Sequence, residues 1–304
     1  MTNPSYRAWG SAFALMGVLA FSFRPIWIKL AYGVPTASGH GVSPVTLLFL
    51  RMVLSLPFFA LVGFVLRNRE PRLTRKDWAA VAGLGFLGYY LASFLDFLGL
   101  QYVGAGIGRL ILFLYPTLVL LLSFIFLHKP PTRRELAAFV ICYSGVALVL
   151  SNRYGGGGSG SLFLLGVLLV FGSALCYATY LVAGSQMVKR IGSMRFTAYT
   201  MIISTLPAVI QFLIIEKPSS LVLPGAVWVY AIVMATFSTV FPVFLQAEAL
   251  KRIGASQFAL IGAVGPVSTV LISAFGLEEP FTALQAVGGL LVVAGVLLVS
   301  IKRS

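Results

Sequence analysis

The 304-residue chain is 59% apolar and 13% aromatic but only 10% charged, with a mean hydropathy of +0.97; soluble proteins carry about 25% charged residues. That balance excludes a water-soluble enzyme. The net charge of +14 reads as membrane topology rather than as a nucleic-acid footprint, because no stretch outside the apolar runs is long enough to fold as a soluble domain.

Apolar runs fall at about 8–31, 43–66, 78–98, 101–127, 135–151, 161–184, 196–215, 225–247, 255–276 and 283–301. A helical span needs about 20 residues, and these runs are continuous rather than alternating and about twice as long as a barrel strand. The expected fold class is an all-α membrane protein with ten transmembrane helices. The first run is expected to persist as a span, because MTNPSYRAWG lacks the basic stretch and small-residue cleavage site of a signal peptide. Counted in alternate loops from an inside N-terminus, sixteen Lys and Arg fall on one side, among them Arg67, Arg69, Arg72, Arg75, Lys76, Lys189, Arg190, Lys251 and Arg252. Only Arg153 and Lys217 fall on the other. The positive-inside rule then places both termini in the cytoplasm.

The chain matches itself at an offset of 150 residues. Gly10-Ser11 recurs as Gly160-Ser161, Gly104-Ala105 as Gly254-Ala255, Pro116 as Pro266, Ser123 as Ser273, Pro130 as Pro280 and Gly145-Val146 as Gly295-Val296. The expected units are 1–154 and 155–304, joined at Gly155-Gly156-Gly157-Gly158, a flexible linker by composition. With five spans each, the second copy enters the membrane from the opposite side. Inverted repeats of this kind build mid-membrane sites in transporters.

Polar residues within the runs mark the candidate site. A charge at the bilayer centre costs from about 2.5 to over 10 kcal/mol, so it is kept only facing a cavity or a partner. In chain order these are Arg24, past the middle of the first span, and Lys29, near its outer end, from which it can snorkel to the headgroups. Next come Arg51 in the second span, Asp96 ending the third and Arg109 opening the fourth. All five fall in the outer half of the membrane and in the first repeat; the partners of Arg24, Arg51, Asp96 and Arg109 are Ala174, Met201, Gln246 and Ala259. Asp96 is expected to pair with one Arg, with proton carriage as the alternative. Arg51 either contacts substrate or locks the second span. Arg109, with Arg24 as second donor, is expected to hold an anionic group, since guanidinium binds carboxylate or phosphate in bidentate fashion.

Polar stripes extend the set. Tyr89, Ser93 and Asp96 are spaced to share one helix face, as are Ser173, Tyr177 and Tyr180, and Thr239, Pro242 and Gln246. Trp27, Tyr89, Tyr177, Tyr180 and Gln246 are candidate cavity residues, with aromatic packing or an interface belt as the plainer alternative. Trp27 and Tyr177 are repeat partners expected to face each other. Pro116 and Pro266 each remove a helical hydrogen bond and are candidate hinges. The sets Gly83, Gly85, Gly88 and Gly288, Gly289, Gly295 read as close helix packing. Cys142 and Cys176 lie in apolar runs without metal-type spacing, and His40 and His128 are far apart, so neither a metal nor a cofactor is expected.

These features resemble the drug/metabolite transporter superfamily, specifically its ten-span members with two EamA-type repeats. The resemblance rests on Arg109 to Lys129 (RLILFLYPTLVLLLSFIFLHK) followed by Pro130 and Glu135, and on Ala259 to Leu277 (ALIGAVGPVSTVLISAFGL) followed by Glu278-Glu279-Pro280. Pro116 and Pro266 match the prolines of the fourth and ninth spans. Phe21 to Lys29 (FSFRPIWIK) is similar to the first-span motif, but Phe21 replaces its Trp and Arg24 is additional. The exit His128-Lys129-Pro130 lacks the family's acid. The resemblance implies a secondary transporter working by alternating access. Taken with the arginines, it implies an exporter of an amino acid or related organic anion in a bacterial inner membrane. Its partners are then a small-molecule substrate and the lipid bilayer, not nucleic acid. The alternatives are a passive facilitator or channel, and a membrane-embedded lipid-modifying enzyme, for which paired acids, a Ser/Lys pair or a His cluster near an interface would be needed. The run Gly104 to Gly108 lacks the Lys-Ser/Thr of a nucleotide loop, so transport is gradient-driven or passive.

Overall fold

The computed structural model describes residues 4–36, 39, 41–68, 72–127, 132–154, 160–262, 264–278 and 282–300. His40, His128, Pro130, Pro280 and the four-glycine linker lie outside the described residues. Secondary structure among the described residues is entirely helical. In order, the α-helices are α1 (Pro4–Ser22), α2 (Arg24–Gly33), α3 (Pro44–Val65), α4 (Arg75–Gly85), α5 (Ala92–Gly99), α6 (Ala105–Leu112), α7 (Tyr115–Leu127), α8 (Arg133–Tyr154), α9 (Gly160–Ile191), α10 (Ser193–Ile215), α11 (Gly225–Ala235), α12 (Phe241–Gly262), α13 (Val264–Gly276) and α14 (Ala283–Ser300). Wider π-helical turns, Phe86–Leu91 and Thr236–Val240, join α4 to α5 and α11 to α12, and a short 3-10 turn, Pro218–Leu221, precedes α11.

Local chemistry sets the helix starts. Ser43 caps α3, accepting from the Thr46 amide at 3.1 Å with Pro44 in the first turn. Thr74 and Asp77 form a reciprocal capping box at α4. Thr132 and Glu135 do the same at α8, and their partners at the 150-residue offset, Thr282 and Gln285, repeat the pattern at α14.

Eight helical stretches are long and apolar enough to cross a membrane: Ser5–Gly33, Pro44–Val65, Arg75–Gly99, Ala105–Phe126, Arg133–Ser151, Ser161–Ile191, Ser193–Ile215 and Gly225–Ile253. Val264–Gly276 and Ala283–Leu298 are apolar but shorter. One boundary differs from the sequence expectation. A loop was expected at about 248–254, yet helical backbone continues through α12 to Gly262, whereas the equivalent part of the first repeat breaks between α5 and α6. Gly99 and Gly104 flank that break; at the corresponding start of the second segment stands Ala249, a better helix former.

Helix packing is symmetric under exchange of the repeats. α3 packs on its partner α10, and α8 on its partner α14. The pairing of α1 with α12 is matched by that of α5 with α9, and α4 with α10 by α11 with α3. Small residues permit the close approaches, as is usual between membrane helices. A Cβ on Gly145 would lie 2.6 Å from the Gly288 carbonyl oxygen, and one on Gly295 2.9 Å from that of Ala138. Cys142, fully buried at this contact, points its thiol at the Val292 carbonyl, 3.5 Å away.

Candidate functional site

Three departures from regular α-helix shape the interior. α1 ends at Ser22 and α2 begins at Arg24, with Pro25 in its first turn; the amide that Pro25 lacks makes this an inexpensive place to break. The freed Ser22 carbonyl accepts from Thr269 Oγ1 at 2.9 Å, while Ser22 Oγ donates to the Gly265 carbonyl at 3.1 Å. The other two departures are the π-helical turns, which start at residues 86 and 236, in register at the 150-residue offset. A π turn carries an extra residue and is frequent at functional sites. In the second, Thr239 Oγ1 donates to the Met234 carbonyl five residues back. In the first, Gly88 lies under the Tyr180 ring, where any Cβ would collide.

These elements enclose a cavity of about 450 Å³, within the range of small-molecule sites. Among the described residues the charged ones lining it are Arg24, Arg51 and Arg109, and no acid lines it. The guanidiniums are 9%, 2% and 6% exposed by residue, which makes their partners decisive. Arg24 Nη2 lies 2.8 Å from Asp96 Oδ2. Arg51 Nη2 donates to Ser93 Oγ at 2.8 Å, a neutral acceptor. Arg109 lies over the Phe21 ring, 4.5 Å from its centroid, and Arg24 lies over the same ring at 4.7 Å. Among the described residues no carboxylate is within ion-pair distance of Arg51 or Arg109. Nε of all three arginines, and Ser238 Oγ, are buried without a hydrogen-bond partner among the described residues. The cavity extends from the arginines past Tyr89, Tyr115, Tyr177 and Tyr180 to Val188, Ser193 and Met194, at the α9–α10 turn beside Lys189 and Arg190. At the opposite end Tyr32 donates to the Phe97 carbonyl at 2.8 Å, Ser43 hydrogen-bonds Glu216, and Phe49 stacks on Phe212.

The model of the EamA-like transporter family matches residues 8–151 and again 164–301. The chain belongs to the EamA-like transporter family. It is a transporter, not an enzyme, and a multi-pass membrane protein. The Bacillus subtilis (strain 168) protein called "Uncharacterized transporter YcbK" is 31% identical over 92% of this chain and 88% of its own length. A second from that organism, "Uncharacterized transporter YyaM", is 32% identical over 74% of each chain. "Uncharacterized transporter sll1319" of Synechocystis is 26% identical over 97% of this chain and 94% of its own. A solved structure titled only "Crystal structure of protein" superposes with a TM-score of 0.65 over 95% of both chains at 18% identity, a likeness of fold.

Within this EamA-family chain the candidate residues divide. Arg24, Arg51, Arg109, Tyr89, Tyr177, Tyr180, Gln246 and Pro116 line the cavity. Asp96 stands behind Arg24 rather than on the wall, although Tyr89 and Ser93 of the same stripe both line it. Trp27 is not on the wall: it stacks on Phe23 and Tyr230, with centroids at 6.0 and 6.1 Å. The break at Phe23 separates α2 from the register of α1, and Trp27 faces α11 instead of Tyr177, whose ring neighbours are Tyr115 and Tyr180. Lys29 also lies off the wall, partly exposed toward the far end of α2. Pro116 and Pro266 stand in the first turns of α7 and α13, not at mid-helix; Pro is well tolerated there. Sequence reasoning missed Phe21, Tyr115 and Ser238. Phe21 was visible only as a departure from the family motif, and Ser238 only as a neighbour of the Thr239 stripe. Tyr115 directly precedes Pro116 and carried no signal of its own.

Proposed function

We propose that this transporter is a ten-span secondary carrier that exports a small organic anion across a bacterial inner membrane by alternating access. Its repeats, 1–154 and 155–304, are inverted about an axis in the membrane plane, and both termini are cytoplasmic. The exchange symmetry of the helix packing supports the inversion. A single observation carries the choice of substrate: among the described residues, three buried arginines and no acid line the cavity. Arg109 is the anchor, because its charge has no carboxylate partner and its Nε no acceptor. Buried and unmatched, such a charge is costly without a ligand. Under the positive-inside topology the α9–α10 turn is cytoplasmic, so the cavity in this conformation extends toward the face from which an exporter loads.

The test is Arg109→Gln, which keeps hydrogen-bonding capacity and removes the charge. For a carboxylate ligand found by thermal-stabilisation screening, binding should weaken by about 1.5–3 kcal/mol, the worth of a hydrogen bond to a charged group. The neutral amide analogue should lose far less. Arg109→Lys should recover only part, since a point charge does not reproduce the guanidinium fork. Equal losses for acid and amide would make Arg109 scaffolding and remove the basis for an anionic substrate.

A further inference from the structure

We infer that the cargo carries two negative charges and no amine: a dicarboxylate or a phosphate monoester rather than an amino acid. The inference rests on the proposed anion site and narrows it. Of the three cavity arginines one is neutralised, Arg24 by Asp96 at 2.8 Å. The other two are not. Arg51 spends one Nη on the Ser93 hydroxyl and leaves a buried Nε without an acceptor. Arg109 is met by the Phe21 ring and likewise leaves its Nε unmatched. A hydroxyl and an aromatic face each ease burial of a cation, but neither cancels its charge.

The cavity region therefore holds two uncompensated positive charges on different helices, Arg51 on α3 and Arg109 on α6. A monoanion would leave one of them buried and unpaired. An amino acid fits worse, because its ammonium would restore the second positive charge, and the nearest acid, Asp96, is already engaged and off the wall. A dianion brings the region to neutrality. The Phe21 ring, its centroid 4.5 Å from the guanidinium carbon, offers Arg109 no carboxylate, and a guanidinium can take a bidentate acceptor.

The experiment uses the full chain in lipid nanodiscs, titrated calorimetrically with succinate, monomethyl succinate and dimethyl succinate, and with glycerol 3-phosphate against glycerol. Succinate should bind about tenfold or more tightly than monomethyl succinate, one ligand per chain, as expected for a second charge-assisted contact, and glycerol 3-phosphate should bind where glycerol does not. Arg51→Gln should abolish the dianion's preference, bringing its affinity down to that of the monoester for the same variant. Arg51→Lys, which keeps the charge, should preserve the dianion's preference and serves as the variant of record if Arg51→Gln does not fold. Equal affinity for succinate and its monomethyl ester, or two monoester molecules bound per chain, would overturn the two-charge inference and leave the anion site standing. Dimethyl succinate and glycerol binding as well as the charged probes would overturn the anion site itself, and this inference with it. A folded protein that binds none of the five at millimolar concentration would also overturn the inference, since a charge-matched site should respond to both dianion types.

Discussion

Replacing Asp96 by Asn is the sharpest probe of the interior. The carboxylate lies 2.8 Å from Arg24 Nη2, and the two side chains are only 3% and 11% exposed. Removing one partner of a buried pair costs about 3–5 kcal/mol, because the other charge stays behind. Asn keeps a carbonyl acceptor and Arg24 reaches the cavity, so the loss should sit at the low end, about 3 kcal/mol. Equilibrium unfolding in mixed micelles measures it, with Arg24→Gln and the double variant completing a cycle. The double variant should be less damaged than the sum of the single changes, with a coupling of about 2 kcal/mol, inside the usual range for contacting residues. Strict additivity would refute the ion pair as a source of stability. Unchanged stability together with loss of proton-driven flux, but not of substrate exchange, would instead make Asp96 a proton carrier.

Gly88→Val sets a branched side chain against the Tyr180 ring; it should cost about 1–3 kcal/mol as an overpacking change and lower transport in proteoliposomes by narrowing the cavity. Gly295→Val presses on Cys142 and the Ala138 carbonyl and should destabilise the α8–α14 contact by a similar 1–3 kcal/mol while leaving ligand affinity in the folded fraction unchanged. Cys142, fully buried, should resist a maleimide until the protein is denatured, whereas Cys176 should react sooner, which timed labelling and mass spectrometry resolve. Under the proposed topology, a cysteine at Lys76 should react with an impermeant reagent only from the cytoplasmic side and one at Lys217 only from outside; the reverse pattern would invert the orientation.

The apolar runs and the 150-residue repeat were legible because each depends on spacing along the chain. So were the three cavity arginines, since charge inside an apolar run has few explanations. The π turns were not. FLGYYL and TFSTV have nothing in their composition that separates a π turn from an α turn, and the extra residue is accommodated by packing from other helices, as at Gly88 beneath Tyr180. Trp27 is expected opposite Tyr177 as its partner at the offset; the break at Phe23 sends it to Tyr230 instead. The signal for that break, Pro25, was in the sequence, two residues from the site it affects. Phe21 shows the limit most plainly. Its contact with two guanidiniums belongs to three-dimensional placement, and an apolar residue within an apolar run carries no mark of it.

All three arginines belong to the first half of the chain, on α2, α3 and α6, and their counterparts at the offset are Ala174, Met201 and Ala259. Under the proposed function, a negatively charged cargo is moored to one half, and in a rocking cycle the other half moves past it. The mooring charges sit within the bilayer and feel the membrane voltage, worth about 2.3 kcal/mol per elementary charge per 100 mV. A dianionic cargo that matches the two unpaired arginines leaves the loaded site without net charge, whereas an inside-negative voltage opposes outward displacement of the bare arginines. Only the empty stroke would then feel the voltage, and a chain built from two similar halves would work as a rectifier.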